Sequence, residues 1–185
     1  KVIKNILVNI LTLLRIPLSL IFYNVVQHDA NPFLPCTVLF ILVAASDYFD
    51  GKLARKYGVQ SGIGAILDVM ADFFFIIMAS LSLSFRGMFP HWMLGVIIFK
   101  FLEFWVTSVI FNRGSKNTSV FLFDPLGRIV AVLFYLLPIL MLLFTLCLSA
   151  DIHQIALAII YGGITSLALL SSTLRISSFI KLIKG

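Results

Sequence analysis

Eight of the 185 residues are acidic, and half of them fall between positions 47 and 72: Asp47, Asp50, Asp68 and Asp72. On helices, the i,i+3 spacing of Asp47 and Asp50 and the i,i+4 spacing of Asp68 and Asp72 set each pair on one face. Both pairs lie in or beside long apolar runs, where a carboxylate is costly and marks function by default. Four carboxylates within reach of one another would repel unless cations sat among them. A cluster of hard oxygens suits Mg²⁺, with Mn²⁺ or Ca²⁺ also admissible. The competing reading is interfacial carboxylates paired with Lys52, Arg55 and Lys56. It accounts for Asp50 but poorly for Asp68 and Asp72, which lead into Phe73, Phe74 and Phe75.

Small residues surround the acids: Gly51, Ala54, Gly58, Gly62, Gly64 and Ala65. Such positions let helices approach closely or leave room for a flat ligand. Gly51 and Ala54 lie beside the first carboxylate pair, which makes them a plausible ligand wall. Arg55, one turn beyond Gly51, is placed to meet an anion next to a metal ion.

The elements that must position these groups are membrane helices. The chain is 61% hydrophobic and 12% charged, with a mean hydropathy of +1.08, whereas a soluble domain averages about 45–50% apolar and about 25% charged. A soluble domain, a disordered tail and a nucleic-acid-binding surface are excluded. Counting about 20 residues per crossing gives six apolar segments, over 6–26, 33–50, 61–85, 92–111, 129–149 and 155–174. Hydrophobic runs of this length predict helices, which satisfy their own backbone in lipid. The short connection between the second and third makes them antiparallel neighbours and brings both aspartate pairs to one depth.

Six crossings put both termini on one side. That side takes Lys1, Lys4, Arg15, Lys52, Arg55, Lys56, Arg113, Lys116, Arg128, Arg175, Lys181 and Lys184, while Arg86 alone falls on the other and Lys100 lies within a helix. This bias predicts a multi-pass protein of the cell membrane, with termini and acidic site facing the cytoplasm. The net charge of +6 then reflects orientation in an anionic bilayer, with membrane lipids rather than nucleic acid as partners. His28, His91 and His153 are isolated loop residues. Cys36 and Cys147 lie far apart without metal-ligand spacing and read as small apolar residues.

The stretch Asp47-Tyr48-Phe49-Asp50-Gly51-Lys52-Leu53-Ala54-Arg55, followed by Gly64, Asp68 and Asp72, resembles the CDP-alcohol phosphatidyltransferase signature, DxxDGxxAR, eight residues, then GxxxDxxxD. All eight signature positions match at the family spacing. The resemblance implies an all-α fold of six transmembrane helices, with residues 1–185 as a single integral membrane domain. It also implies a metal-dependent transferase that moves a phosphatidyl group from CDP-diacylglycerol to the hydroxyl of a small polar alcohol and releases CMP. By position, Asp47, Asp50 and Asp68 would be the principal ligands of two Mg²⁺ or Mn²⁺ ions. Asp72 would help hold the site and serve as the base that deprotonates the acceptor. Gly51 and Ala54 would make room for cytidine, Gly64 would border the nucleotide or diphosphate, and Arg55 would be structural or lie near phosphate. A homodimer is expected on the same ground.

The acceptor is less legible. Asn9, Thr12 and Arg15 resemble the NxxTxxR opening of bacterial phosphatidylglycerophosphate synthases. In the fourth segment Glu103, Phe104, Val106 and Thr107 match those enzymes, but two of their arginines are replaced by Leu102 and Ile110. A later GKxKT-like stretch keeps only Gly127 and Arg128. A phosphorylated acceptor needs cationic partners, and Lys100, Arg113, Lys116 and Arg128, with Glu103, are the candidates. Lys100 and Glu103, spaced i,i+3, read equally well as an intrahelical pair that offsets two buried charges. Glycerol 3-phosphate, inositol, inositol phosphate and serine all stay open as acceptors. The alternative class, a carboxylate-lined cation transporter, is disfavoured because helices five and six carry no charge and the acids cluster on one side.

Overall fold

The computed structural model describes residues 9–58, 62–114, 125–147 and 150–184; the side chains of 111–114, 150, 151, 153 and 178–184 are outside that description. The elements are α1 (Arg15–His28), α2 (Phe33–Tyr57), α3 (Gly62–Phe85), α4 (His91–Gly114), α5 (Pro125–Cys147) and α6 (Ala150–Lys184). All six are long and apolar enough to cross a bilayer, with the first span beginning at Asn9. The chain is therefore an all-α, polytopic membrane protein. Apolar side chains such as Ile10, Leu34, Ile63, Phe99 and Ile159 point outward, while Ser19, Ser46, Ser80, Ser82 and Ser171 are buried. This is the distribution lipid demands, since the hydrocarbon solvates the outside and close helix contacts favour small residues within.

Several boundaries differ from those read off hydropathy, for local reasons. The second helix does not stop at Asp50 but continues to Tyr57, so Gly51, Ala54 and Arg55 are helical. Hydropathy falls where the helix leaves the apolar layer, but Lys52, Leu53, Ala54, Arg55 and Lys56 are good helix formers. Termination comes from Gly58, which adopts φ 60° and donates its N–H to Ala54 and Arg55 carbonyls, a left-handed cap that glycine enters without strain. Helix α5 starts at Pro125 rather than Ile129, because proline suits the first helical position, where no N–H is required. In the first span, Pro17 lies in the first turn of α1, and Leu14 gives its N–H to Ile10 at 2.9 Å.

The chain divides into two compact units, residues 1–90 with 138–143, and 91–137 with 144–185. In the first, α1 packs against both α3 and α2. Phe22 meets Phe75 edge-on, with ring centroids 5.6 Å apart, and Phe40 lies 6.0 Å from the same ring. Gln27 Nε2 donates to the Ser82 carbonyl at 2.7 Å, fixing the far ends of α1 and α3. In the second unit α4 packs on α6, with Trp92 edge-on to Tyr161 at 5.9 Å.

Candidate metal centre

Three helices of the first unit meet at the acids. Asp47 and Asp50 lie one turn apart on α2, while Asp68 and Asp72 occupy successive turns of α3, so helical spacing turns each pair to one face as expected. Gly64, in the first turn of α3, precedes Asp68 by one turn. Asp50 is almost fully buried, and the other three carboxylates are half-buried. Asp47, Asp50 and Asp68 each offer an oxygen within 4.8 Å of the others. Three convergent carboxylates of mixed burial are a donor set that fits a hard divalent cation.

Arg15, at the start of α1 and 0% exposed, lies among all four aspartates. Its Nη2 is 3.0 Å from Asp47 Oδ1 and 2.7 Å from Asp68 Oδ1, and also donates to Asp50 Oδ2. Nη1 donates to Asp72 Oδ1 at 2.5 Å. Thr12 Oγ1, one turn earlier, donates to Asp50 Oδ2 at 2.9 Å. The backbone at Arg15 is held in turn by Ser19, whose hydroxyl donates to the Arg15 carbonyl at 2.6 Å. Asp50 is therefore paired with Arg15 and Thr12, not with Lys52, Arg55 or Lys56, the partners offered by the interfacial reading. One guanidinium facing four carboxylates leaves an excess of negative charge in a partly desolvated place, which draws cations.

Arg55 folds back along α2: a Cβ built at Gly51 would lie 3.8 Å from Arg55 Nη1. This is ordinary contact distance, so packing alone does not require glycine there. Lys52 is directed elsewhere, with Nζ 5.6 Å from the centre of the Tyr48 ring.

Residues 5–169 match the profile of the CDP-alcohol phosphatidyltransferase family. The chain belongs to that family. It is 38% identical over 97 residues to a probable phosphatidylglycerophosphate synthase of Mycobacterium tuberculosis, covering 50% of this chain and 46% of that one. It is 34% identical over 113 residues to a CDP-diacylglycerol–glycerol-3-phosphate 3-phosphatidyltransferase of Cereibacter sphaeroides, covering 58% and 50%. A cardiolipin synthase (CMP-forming) of Streptomyces coelicolor is 36% identical over 61 residues, covering 33% and 28%. The chain spans about half the length, or less, of the curated relatives it matches. Membership in this phosphatidyltransferase family, together with the aspartate cluster, supports a metal-using phosphotransferase.

In this family member the candidates for holding an acceptor fall in the second unit or outside the described residues. Lys100 Nζ donates to Glu103 Oε2 at 2.9 Å and to Ser172 Oγ at 3.0 Å, and Ser172 Oγ donates to the same carboxylate oxygen at 2.6 Å. Lys100 and Ser172 also line a mostly apolar cavity of about 260 Å³, beside Val96, Phe99, Ala168 and Leu169. Arg128 is exposed in the first turn of α5. The Arg113 side chain and the whole of Lys116 lie outside the described residues.

Two buried arginines were given no place among the site residues from sequence. Arg15 carried a signal in the NxxTxxR spacing, which sets Thr12 and Arg15 on one helix face. Arg175, 4% exposed, packs in the second unit with Nε donating to Thr107 Oγ1 at 2.7 Å and the guanidinium 4.9 Å from the Phe104 ring centre. Its signal was Thr107, a position that matches the phosphatidylglycerophosphate synthase stretch.

Proposed function

We propose that this chain transfers a phosphatidyl group from CDP-diacylglycerol to the hydroxyl of a small polar alcohol and releases CMP, with residues 1–185 acting as one membrane domain. The observation that carries this reading is the meeting of Asp47, Asp50, Asp68 and Asp72 in one excess-negative cluster, within a chain that bears the complete family signature. Asp47, Asp50 and Asp68 would hold the divalent metal, with Asp72 at its edge. Bound Mg²⁺ or Mn²⁺, two ions by family resemblance, supplies charge neutralisation at the diphosphate and at the departing CMP oxygen.

The remaining work falls to side chains. Asp72 accepts the proton of the acceptor hydroxyl, and that oxygen forms a bond to the phosphatidyl phosphorus as the bond from phosphorus to the CMP oxygen breaks. Only Oδ1 of Asp72 is engaged by Arg15, so its second oxygen has no protein partner among the described residues and is suited to the proton. Gly51 and Ala54 leave room for cytidine, while Arg55 and Gly64 border the diphosphate. Lys100, Glu103, Arg113, Lys116 and Arg128 are the acceptor-side candidates. The distribution of basic residues supports a cytoplasmic site, where a nucleotide is supplied from water and the diacyl tail stays in the bilayer. A homodimer is part of the same reading.

The names of the relatives divide between glycerol-3-phosphate transferases and cardiolipin synthases, so likeness to them does not select the acceptor. The test is a screen of the purified chain in lipid nanodiscs with CDP-diacylglycerol and Mg²⁺ or Mn²⁺. Glycerol 3-phosphate, inositol, inositol phosphate and serine are supplied in turn, with CMP and the lipid product identified by mass. One acceptor should yield both products in equal amounts. No CMP with any of them would overturn the reading.

A further inference from the structure

Arg15 turns one terminal nitrogen, Nη2, toward three carboxylates at once. Each terminal nitrogen of a guanidinium carries two hydrogens. Those of Nη2 are directed at Asp50 Oδ2 and Asp68 Oδ1, while Asp47 Oδ1 crowds the same nitrogen at 3.0 Å. The buried Nε of Arg15 has no acceptor among the described residues, an uncommon state for such a group. Arg15 is thus gripped only at its two tips. The three aspartates around Nη2 are also the three whose oxygens converge for a metal, whereas Asp72, on Nη1, stands outside that set. Divalent ions bind carboxylate oxygens at about 2.0–2.6 Å, so an ion and Nη2 contend for one place.

We propose that Arg15 is a resident counter-cation which the divalent ion displaces from Asp47, Asp50 and Asp68, its Nη1 staying on Asp72 as the pivot. Before the ion binds, the guanidinium holds α1 against α2 and α3 and restrains the mutual repulsion of the acids. The ion then takes over that bridge between α2 and α3, and Nη2 is released beside it. Metal affinity is lowered by the cost of displacing Arg15, and the metal-free fold is protected by the same contact. The inference rests on the metal reading of the site.

The sign of one measurement separates this from a scaffold that merely orients the acids. The full chain in nanodiscs is titrated with Mn²⁺ and free ion is read by electron paramagnetic resonance, for wild type and Arg15→Gln. Displacement requires the variant to bind Mn²⁺ at least about tenfold more tightly, as a competing like charge has been removed. Its unfolding temperature in chelator should drop below wild type, and Mn²⁺ should raise it by more. Unchanged or weaker binding by Arg15→Gln overturns the proposal. A measurement on the wild-type chain stands apart from the variant's folding: labelling of Arg15 by an arginine-selective dicarbonyl, read by peptide mass, should increase with Mn²⁺. No change, or protection, overturns it. Wild type that binds no Mn²⁺ would bring down the proposed function as well, whereas Mn²⁺ binding without the tighter variant removes the displacement alone.

Discussion

The two ionic clusters of this chain solve the same problem in opposite ways. In the second unit Lys100 and Glu103 face each other one turn apart on α4, one charge of each sign, with Ser172 of α6 bonded to both. In the first unit a single arginine faces four aspartates from two other helices. Both sit in spans long and apolar enough to cross a membrane, where unbalanced charge is expensive. The Lys100–Glu103 pair is balanced in charge, although Glu103 Oε1 is buried with no hydrogen-bond partner among the described residues. The aspartate cluster remains negative after its arginine is counted, and that excess makes it a candidate for cations and chemistry, which a buried ion pair alone does not.

The contrast can be broken most sharply at the acids. Asp68→Asn or Asp72→Asn should lower CMP release by about a hundredfold to a thousandfold, the scale expected when charge stabilisation of a transition state is lost. The protein should still extract in detergent as a folded species, since an amide fills the same space and the excess repulsion falls. A variant of either kind with wild-type turnover would remove the acids from the mechanism.

The balanced pair should behave in the reverse manner. Lys100→Met strands a buried carboxylate, and breaking a buried pair in this way costs about 3–5 kcal/mol. Thermal unfolding in detergent should show that loss, and Lys100→Met with Glu103→Gln should recover most of it. Failure of the double variant to recover would mean that Glu103 serves something besides Lys100, such as an acceptor.

A smaller effect is expected at Gly51. The added methyl of Gly51→Ala meets Arg55 at ordinary contact distance, and alanine favours a helix by about 1 kcal/mol over glycine. Stability should hold or rise while CMP release falls by about tenfold through a raised KM for CDP-diacylglycerol, the cost of about 1.4 kcal/mol of binding. An unchanged KM would free Gly51 from the nucleotide. Least of all, Thr12→Val removes one hydrogen bond to Asp50, a loss of about 1 kcal/mol, visible as a slight drop in unfolding temperature.

Much of this contrast was legible in the sequence. The paired spacings placed both aspartate pairs on helix faces, and the i,i+3 relation of Lys100 and Glu103 is realised as a bond. Helix number followed from apolar length alone. Helix ends were less legible, because hydropathy registers the edge of the apolar layer while Gly58 and Pro125 register backbone geometry. Arg15 was the largest omission. Its charge suited the positive-inside pattern, and only tertiary packing of α1 on α2 and α3 shows that it turns inward to the acids. Arg175 was hidden in the same way, since contacts with Thr107 and Phe104 join helices about seventy residues apart in sequence.

The aspartate cluster is proposed to make this chain a metal-dependent, CMP-releasing phosphatidyltransferase. The most direct test is CMP release from CDP-diacylglycerol by the reconstituted wild-type chain and Asp68→Asn, with the full acceptor mixture, in Mg²⁺ or Mn²⁺ and then in excess chelator. CMP is expected only from the wild-type chain with metal, abolished by chelator and restored by re-adding the ion. Equal CMP in chelator, or from Asp68→Asn, would contradict that proposal.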